Sequence, residues 1–408
     1  MSGPRNVVIT GMGVICALGD RPEAVFDALC EGRTAFAPPT VFPADAVPGH
    51  LAAEVTGFAP EKYLRPGNIR PLDRTGRLAV VGVELALADS GWSLELRNTH
   101  AVGLVLGTMF CSVRTIGEFD RRALQAGPEY ASPMDFSNTV LNAAAGQVAI
   151  WQRLRGVNST VTAGAASGVQ ALGYAMQLVR SGRADVLVAG GAEELCFESF
   201  LGFERAGRLA RPIDGAPGCA VPFDARRTGA VLGEGAAFLV LEAEEVARAR
   251  GARVLGRILG SANGYDPDVL AGSADDGRAL ARTIGRALQD GGAGAGTNGA
   301  VSAAASGSPT LDRREAAAIE SVVGTLTPVT AIKAVAGEAL GASGALQAIA
   351  MIEAMRGGRL PGIAGLAGVE AAIGLDVSAA TRPCHATRAL VTTLTPEGNC
   401  AALVLATD

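Results

Sequence analysis

Hydrophobic positions along the chain fall into two kinds of run. Val102-Gly103-Leu104-Val105-Leu106, Asp185-Val186-Leu187-Val188-Ala189 and Ala237-Phe238-Leu239-Val240-Leu241 are nearly unbroken apolar stretches of strand length. Apolar runs without alternation belong to strands covered on both faces. Between them the spacing turns helical, with Val169, Leu172, Met176 and Val179 on one stripe. Near the start, Val7-Val8-Ile9-Thr10 reads as a β-branched strand, and Gly11-Met12-Gly13 predicts a tight turn after it. Asp20 is the expected N-cap of the next helix, Pro22 lies near its first position, Val25, Phe26 and Leu29 share a face, and Gly32 stops it.

Strands alternating with helices predict an α/β protein whose sheet is covered by helices. A second βα series follows Gly251, with a glycine-rich linker from Gly291 to Gly296, a strand near Gly299 to Ala303 and a helix from about Arg313. Ala166-Ser167-Gly168 and Ala342-Ser343-Gly344 each open an apolar helix. That faint echo suits an internal duplication.

Charge and cysteine usage narrow the function classes. A formal net charge of −5 over 408 residues gives no global basic field, so neither nucleic acid nor an anionic membrane is an expected partner. The seven cysteines are scattered, with no CxxC pair and no metal-ligand spacing, so free thiols of a cytoplasmic protein are expected and no metal or other cofactor is implied. No apolar run approaches the roughly 20 residues of a spanning helix, and no signal-peptide pattern is present.

Several ordered segments resemble the ketosynthases (β-ketoacyl synthases) of fatty acid and polyketide synthesis. They are Val8-Ile9-Thr10-Gly11-Met12-Gly13, Ala184 to Glu193, Pro222-Phe223-Asp224, Gly233-Glu234-Gly235-Ala236, Arg250-Gly251-Ala252 and Gly341-Ala342-Ser343-Gly344. Each is unspecific alone; their order and spacing carry the resemblance over essentially the whole chain. It implies a thiolase fold, with two similar βα halves (residues 1–250 and 251–408) in a five-layered αβαβα arrangement.

The same resemblance locates the chemistry and finds it missing. Active members place a cysteine within Thr-Ala-Cys-x-Ser-Gly at a helix N-terminus, where the dipole and backbone amides favour a thiolate. Here the stretch reads Thr162-Ala163-Gly164-Ala165-Ala166-Ser167-Gly168, with Ala165 at the cysteine position. The two histidines that polarise the malonyl carbonyl correspond to Ala304 and Glu338, while Lys333 matches the family's active-site lysine. An ionised carboxylate only accepts hydrogen bonds and would repel a developing oxyanion. Ser167 reads as a helix N-cap. The acidic helix start Leu311 to Ala316 is kept as a buried ion pair and cap. The family's Gly-Phe-Gly-Gly gating loop has become Leu394-Thr395-Pro396-Glu397-Gly398-Asn399. Of the three histidines, His50 and His100 read as surface residues. His385 follows Cys384, and adjacent residues make a poor nucleophile–base pair.

Three losses in one chain resemble the chain-length factors, ketosynthase-like subunits of type II polyketide synthases. The resemblance implies a heterodimer with an active ketosynthase, joined through the strand at about Gly156 to Val161, and a chain growing on an acyl carrier protein. Expected tunnel residues are Thr108, Met109, Phe110, Cys111 and Ser112, with Met134 and Phe136 from the segment near Pro133. Factors of aromatic pathways carry a glutamine where Ala165 stands, which leaves a decarboxylating or priming role without its amide. The competing expectation is a stand-alone acyltransferase or malonyl decarboxylase that reuses the pocket through Ser167, Lys333 and Glu338.

Overall fold

The structure is a computed structural model that describes residues 4–65, 67–212, 218–268, 276–292 and 299–407. The glycine-rich linker lies largely outside the described residues. In the first half the elements are β1 (Val7–Cys16), α1 (Pro22–Glu31), α2 (Arg74–Ser90), β2 (Val102–Gly107), α3 (Val113–Ala126), α4 (Ala143–Gln152), β3 (Asn158–Val161), α5 (Ser167–Arg180), β4 (Val186–Glu193), α6 (Phe197–Arg205) and β5 (Gly235–Ala243). The second half supplies β6 (Gly256–Tyr265), α7 (Arg278–Asp290), β7 (Gly299–Ser302), α8 (Pro309–Val323), β8 (Pro328–Thr330), α9 (Ser343–Gly357), β9 (Arg388–Leu394) and β10 (Asn399–Ala406).

The two halves repeat one topology. The first sheet runs β3-β2-β4-β5-β1 and the second β8-β7-β9-β10-β6. In each, the pairs at the β1 or β6 side are antiparallel and those at the β3 or β8 side parallel. A short antiparallel contact of Val8 and Ile9 with Arg257 and Gly256 joins them. Helices α5 and α9 occupy corresponding places, touch one another and contact strands of both halves. Helices α2 and α4 cover the outer face of the first sheet, and α7 and α8 that of the second. The result is the expected five-layered α/β arrangement, with a core dominated by apolar strands and the two central helices.

The central helices meet at their N-termini because glycine lets backbone touch backbone. A Cβ on Gly168 would lie 2.6 Å from the Gly341 carbonyl oxygen, and one on Gly344 2.7 Å from the Val169 nitrogen. Ser167 and Ser343 repeat the same local bond: each hydroxyl accepts a backbone N–H from four residues earlier, Ala163 at 2.8 Å and Ala339 at 2.9 Å. The echo between the two Ala-Ser-Gly segments is therefore structural.

Two local expectations fail for identifiable reasons. Strand β1 continues through Gly11 and Gly13 instead of turning. A Cβ on Gly11 would stand 2.6 Å from the Ala86 oxygen, and one on Gly13 would collide with Ala86 N and Gly82 O. These glycines serve close packing of α2 on the strand. The turn comes at Ala17-Leu18, closed by mutual bonds between Cys16 and Gly19 at 2.9 and 3.1 Å. Asp20 does not cap α1; Arg21 occupies that position and Asp20 accepts the Tyr63 hydroxyl at 2.9 Å. Gly32 ends the helix as expected, in the left-handed region at φ 65°. Replacing Gly13 by valine should cost about 3 kcal/mol or more, since the obstructing atoms are backbone. Urea unfolding of the variant measures this, and a loss below about 1 kcal/mol would contradict the packing.

Candidate active-site cavity

Ala165 lies just ahead of α5, Ala304 follows β7, and Glu338 precedes α9, yet all three line one cavity of about 510 Å³. The duplicated fold brings them together, because both central helices start at the same point between the sheets. Lys333, from the short helix Lys333–Ala336, is 3% exposed behind the wall.

Glu338 is tied down on every side. Its Oε2 receives Lys333 Nζ at 2.6 Å, while Oε1 accepts the Leu340 N–H at 3.0 Å and the Ser343 hydroxyl at 2.7 Å. With both partners below a tenth exposed, removing either would strand a buried charge. Glu315 sits across the cavity, accepting the Ala304 N–H at 2.8 Å and the Thr392 hydroxyl at 2.6 Å. Burial pushes its carboxyl up to about 7, against those hydrogen bonds and the charge of Lys333. Asp312, pushed up to about 6 by burial, accepts N–H groups of Ser306, Gly307 and Phe223 at 3.1–3.2 Å and lies 3.6 Å from Arg227. The acidic start of α8 thus forms the expected buried ion pair, but the cap of the helix is Ser308, whose hydroxyl accepts the Leu311 N–H at 3.4 Å.

Ser167 is fully buried, and its hydroxyl lies 2.6 Å from the Gly164 carbonyl and 3.0 Å from that of Thr108. Among the described residues, no thiol and no imidazole lines the cavity. His100 and His385 are exposed, and Cys384 beside His385 is buried. His50 is half-buried instead of on the surface, with Nδ1 3.1 Å from the Ala210 carbonyl and its ring edge-on to Phe200. None of the seven cysteines is in a disulfide. Among the described residues, no group of His, Cys, Asp or Glu could hold a metal ion, and no helix is long and apolar enough to cross a membrane.

The expected tunnel residues separate into three groups. Met109 and Phe110 face open space: a second, outer cavity of about 620 Å³ is lined by both, and Met109 also reaches the inner one. Thr108, Cys111 and Ser112 are buried away from both cavities. The third group, Met134 and Phe136, stands on the outer surface at 55% and 63% exposure.

The loop carrying Met109 and Phe110 is held by a residue that pattern reading missed. Glu193, at the end of β4, accepts the N–H groups of Met109, Phe110, Cys111 and Gly341 and the Thr108 hydroxyl, all within 2.6–3.2 Å. Its carboxyl is fully buried and is pushed up to about 7 by that burial. An acid closing an apolar strand run was the available signal. Also missed were the Arg208–Glu397 pair (2.9 Å) between the two cavities and the pairing of Arg227 and Arg313 with Glu370.

Both halves of the chain match known family models: the beta-ketoacyl synthase N-terminal domain over residues 4–247 and the C-terminal domain over residues 255–367. The fold and the placing of the cavity define a ketosynthase-type scaffold, and the chain belongs to the beta-ketoacyl synthase family. Among solved structures, the ishigamide ketosynthase/chain length factor is 30% identical with a TM-score of 0.91, the match covering all of both chains. A beta-ketoacyl synthase from Burkholderia phymatum STM815 is also 30% identical, with a TM-score of 0.91 over 99% of this chain and 100% of that one. The 3-oxoacyl-(acyl-carrier-protein) synthase 2 of Rhizobium meliloti is 32% identical over 331 residues, 78% of each chain.

Three of the raised carboxyls, Glu193, Glu315 and Asp312, make stability depend on pH. Their values in the folded chain lie above the unfolded values near 4, so the native state holds more protons between about pH 4 and 7. The stabilisation is full below about pH 4 and lost as pH rises through about 7. The melting temperature should therefore fall between pH 5.5 and pH 8, checked by calorimetry; a rise over that window would contradict the assignment.

Proposed function

We propose that this chain is a catalytically silent subunit of the chain-length-factor type. It pairs with an active ketosynthase and shapes the tunnel in which an acyl or polyketide chain on an acyl carrier protein is extended. The observation that carries this reading is the inner cavity. Ala165 offers no nucleophile, Ala304 no imidazole, and the Glu338 carboxylate is committed to Lys333, Ser343 and the Leu340 amide. Stabilising an oxyanion there would require donors aimed at the cavity, and this carboxylate consumes them.

Uncovered surface supports a partner of the same fold. Strand β3 is an edge strand and only half-buried. Helix α3 buries none of its residues, and Leu124, Tyr130, Met134, Phe136, Val140, Leu141 and Ile150 are all exposed. An open edge beside apolar side chains is costly to leave in water. The resemblance at 30% identity to a structure described as a ketosynthase/chain length factor points the same way. The partners under this reading are the active ketosynthase and the carrier protein, in the cytoplasm. A stand-alone acyltransferase or malonyl decarboxylase finds less support, since Ser167 is fully buried and Lys333 and Glu338 neutralise each other.

Co-purification with ketosynthases encoded nearby, followed by an elongation assay on malonyl carrier protein, tests the reading. The expected result is a one-to-one complex that loses activity when the partner's cysteine is replaced. Acyl loading of this chain alone would overturn it. Within an active complex, Phe110→Ala enlarges the outer cavity and Met134→Ala removes a side chain offered to the partner. Each should lengthen the product, as read by mass spectrometry; an unchanged spectrum from both would remove them from the tunnel.

A further inference from the structure

The inner and outer cavities are neighbours divided by a wall of four side chains, Met109, Phe203, Arg208 and Glu397, which line both. Two are apolar and two form an ion pair, Arg208 Nη1 to Glu397 Oε1 at 2.9 Å. The guanidinium also lies 6.0 Å from the Phe203 ring centre, over its face. Both charged residues stand on firm backbone. Glu397 sits in the reverse turn between β9 and β10, where the Gly398 N–H donates to Thr395 O at 3.0 Å, the Thr395 N–H to Asn399 O at 2.9 Å, and the Asn399 N–H to Thr395 Oγ1 at 3.1 Å. Arg208 follows α6, its N–H donating to Phe203 O at 3.0 Å while its carbonyl accepts from Ala230 at 2.9 Å.

The pair is poorly explained as a stabilising device. At 38% and 40% side-chain exposure it resembles surface ion pairs, whose net contribution is small. Its other carboxylate oxygen, Oε2, is buried and has no hydrogen-bond partner. A buried acceptor left unpaired is a cost, which a purely structural contact would not carry.

Building on the proposed function, we infer that the Arg208–Glu397 pair is an electrostatic partition that stops an apolar acyl chain at the inner end of the outer cavity. A chain in the outer cavity lies against Thr162, Ala163, Gly164, Met109 and Phe110 and meets the ion pair where this cavity adjoins the inner one. Each methylene buried in the outer cavity gains about 0.8 kcal/mol. Passing further means parting the pair and covering its partly exposed charges with methylenes that offer no hydrogen bond, which costs more than the next methylene returns. The inner cavity, with its missing catalytic groups, stays closed to the chain. The accommodated length is then set by charge and not by bulk alone.

Removal of either charge should open the partition, and exchanging them should close it again. In the complex with an active ketosynthase, Glu397→Ala and Arg208→Ala should each shift products longer by one or more two-carbon units. The double variant Arg208→Glu/Glu397→Arg should return them towards the original length. A second measurement needs no partner activity: binding of octanoate and hexadecanoate to this chain by calorimetry. The single variants should bind hexadecanoate about tenfold more tightly and octanoate within about twofold of the original, a difference of about 1.4 kcal/mol. If the complex elongates but neither single variant changes product length, the partition is overturned. If no ketosynthase depends on this chain, the proposed function falls, and the fatty acid titration alone decides: unchanged hexadecanoate affinity in both single variants refutes the partition, and a selective gain upholds it.

Discussion

The fold rests on one close approach, where two helix N-termini meet between two sheets without side chains in between. Gly168 on α5 and Gly344 on α9 allow it, and Gly341 and Gly191 extend it to the neighbouring loop and strand, where a Cβ on Gly191 would strike the Gly341 oxygen. Everything at the cavity is measured from that point. Ala165 precedes one helix and Glu338 the other, so the duplication itself places these two residues on one cavity. A side chain at the meeting point would drive the halves apart and dissolve the cavity before altering any of its lining residues.

Around that point the polar groups have been reassigned to structure. The fully buried Glu193 gathers the loop after β2, and Glu315 and Asp312 gather the loop after β7. Glu193 accepts four backbone N–H groups, Asp312 three and Glu315 one, which ties the loops down, while burial keeps the carboxyls costly to ionise. The lining of the inner cavity is therefore stiff and chemically quiet, suited to bounding a tunnel.

The sequence was most legible where burial is uniform. Val102 to Leu106 and Ala237 to Leu241 could only be covered strands, and the stripe through Val169 and Met176 only a core helix. Ala165, Ala304 and Glu338 could be singled out only through family resemblance, since alanine announces nothing by itself. Gly11 and Gly13 misled because the same residue permits a turn and a close contact, and only the position of α2 distinguishes them. Glu193 and the Arg208–Glu397 pair were beyond reach of the pattern. Their partners are distant in sequence, and a single acid in an apolar neighbourhood does not say what will donate to it.

The Lys333–Glu338 contact carries an evolutionary consequence. The Glu338 carboxylate is the counter-ion of a lysine that has no solvent to turn to. Removing the carboxylate alone would take from the buried ammonium its partner at 2.6 Å, a loss of about 3–5 kcal/mol. Substitution at position 338 is thus coupled to Lys333, and either residue changes at low cost only when the other changes with it.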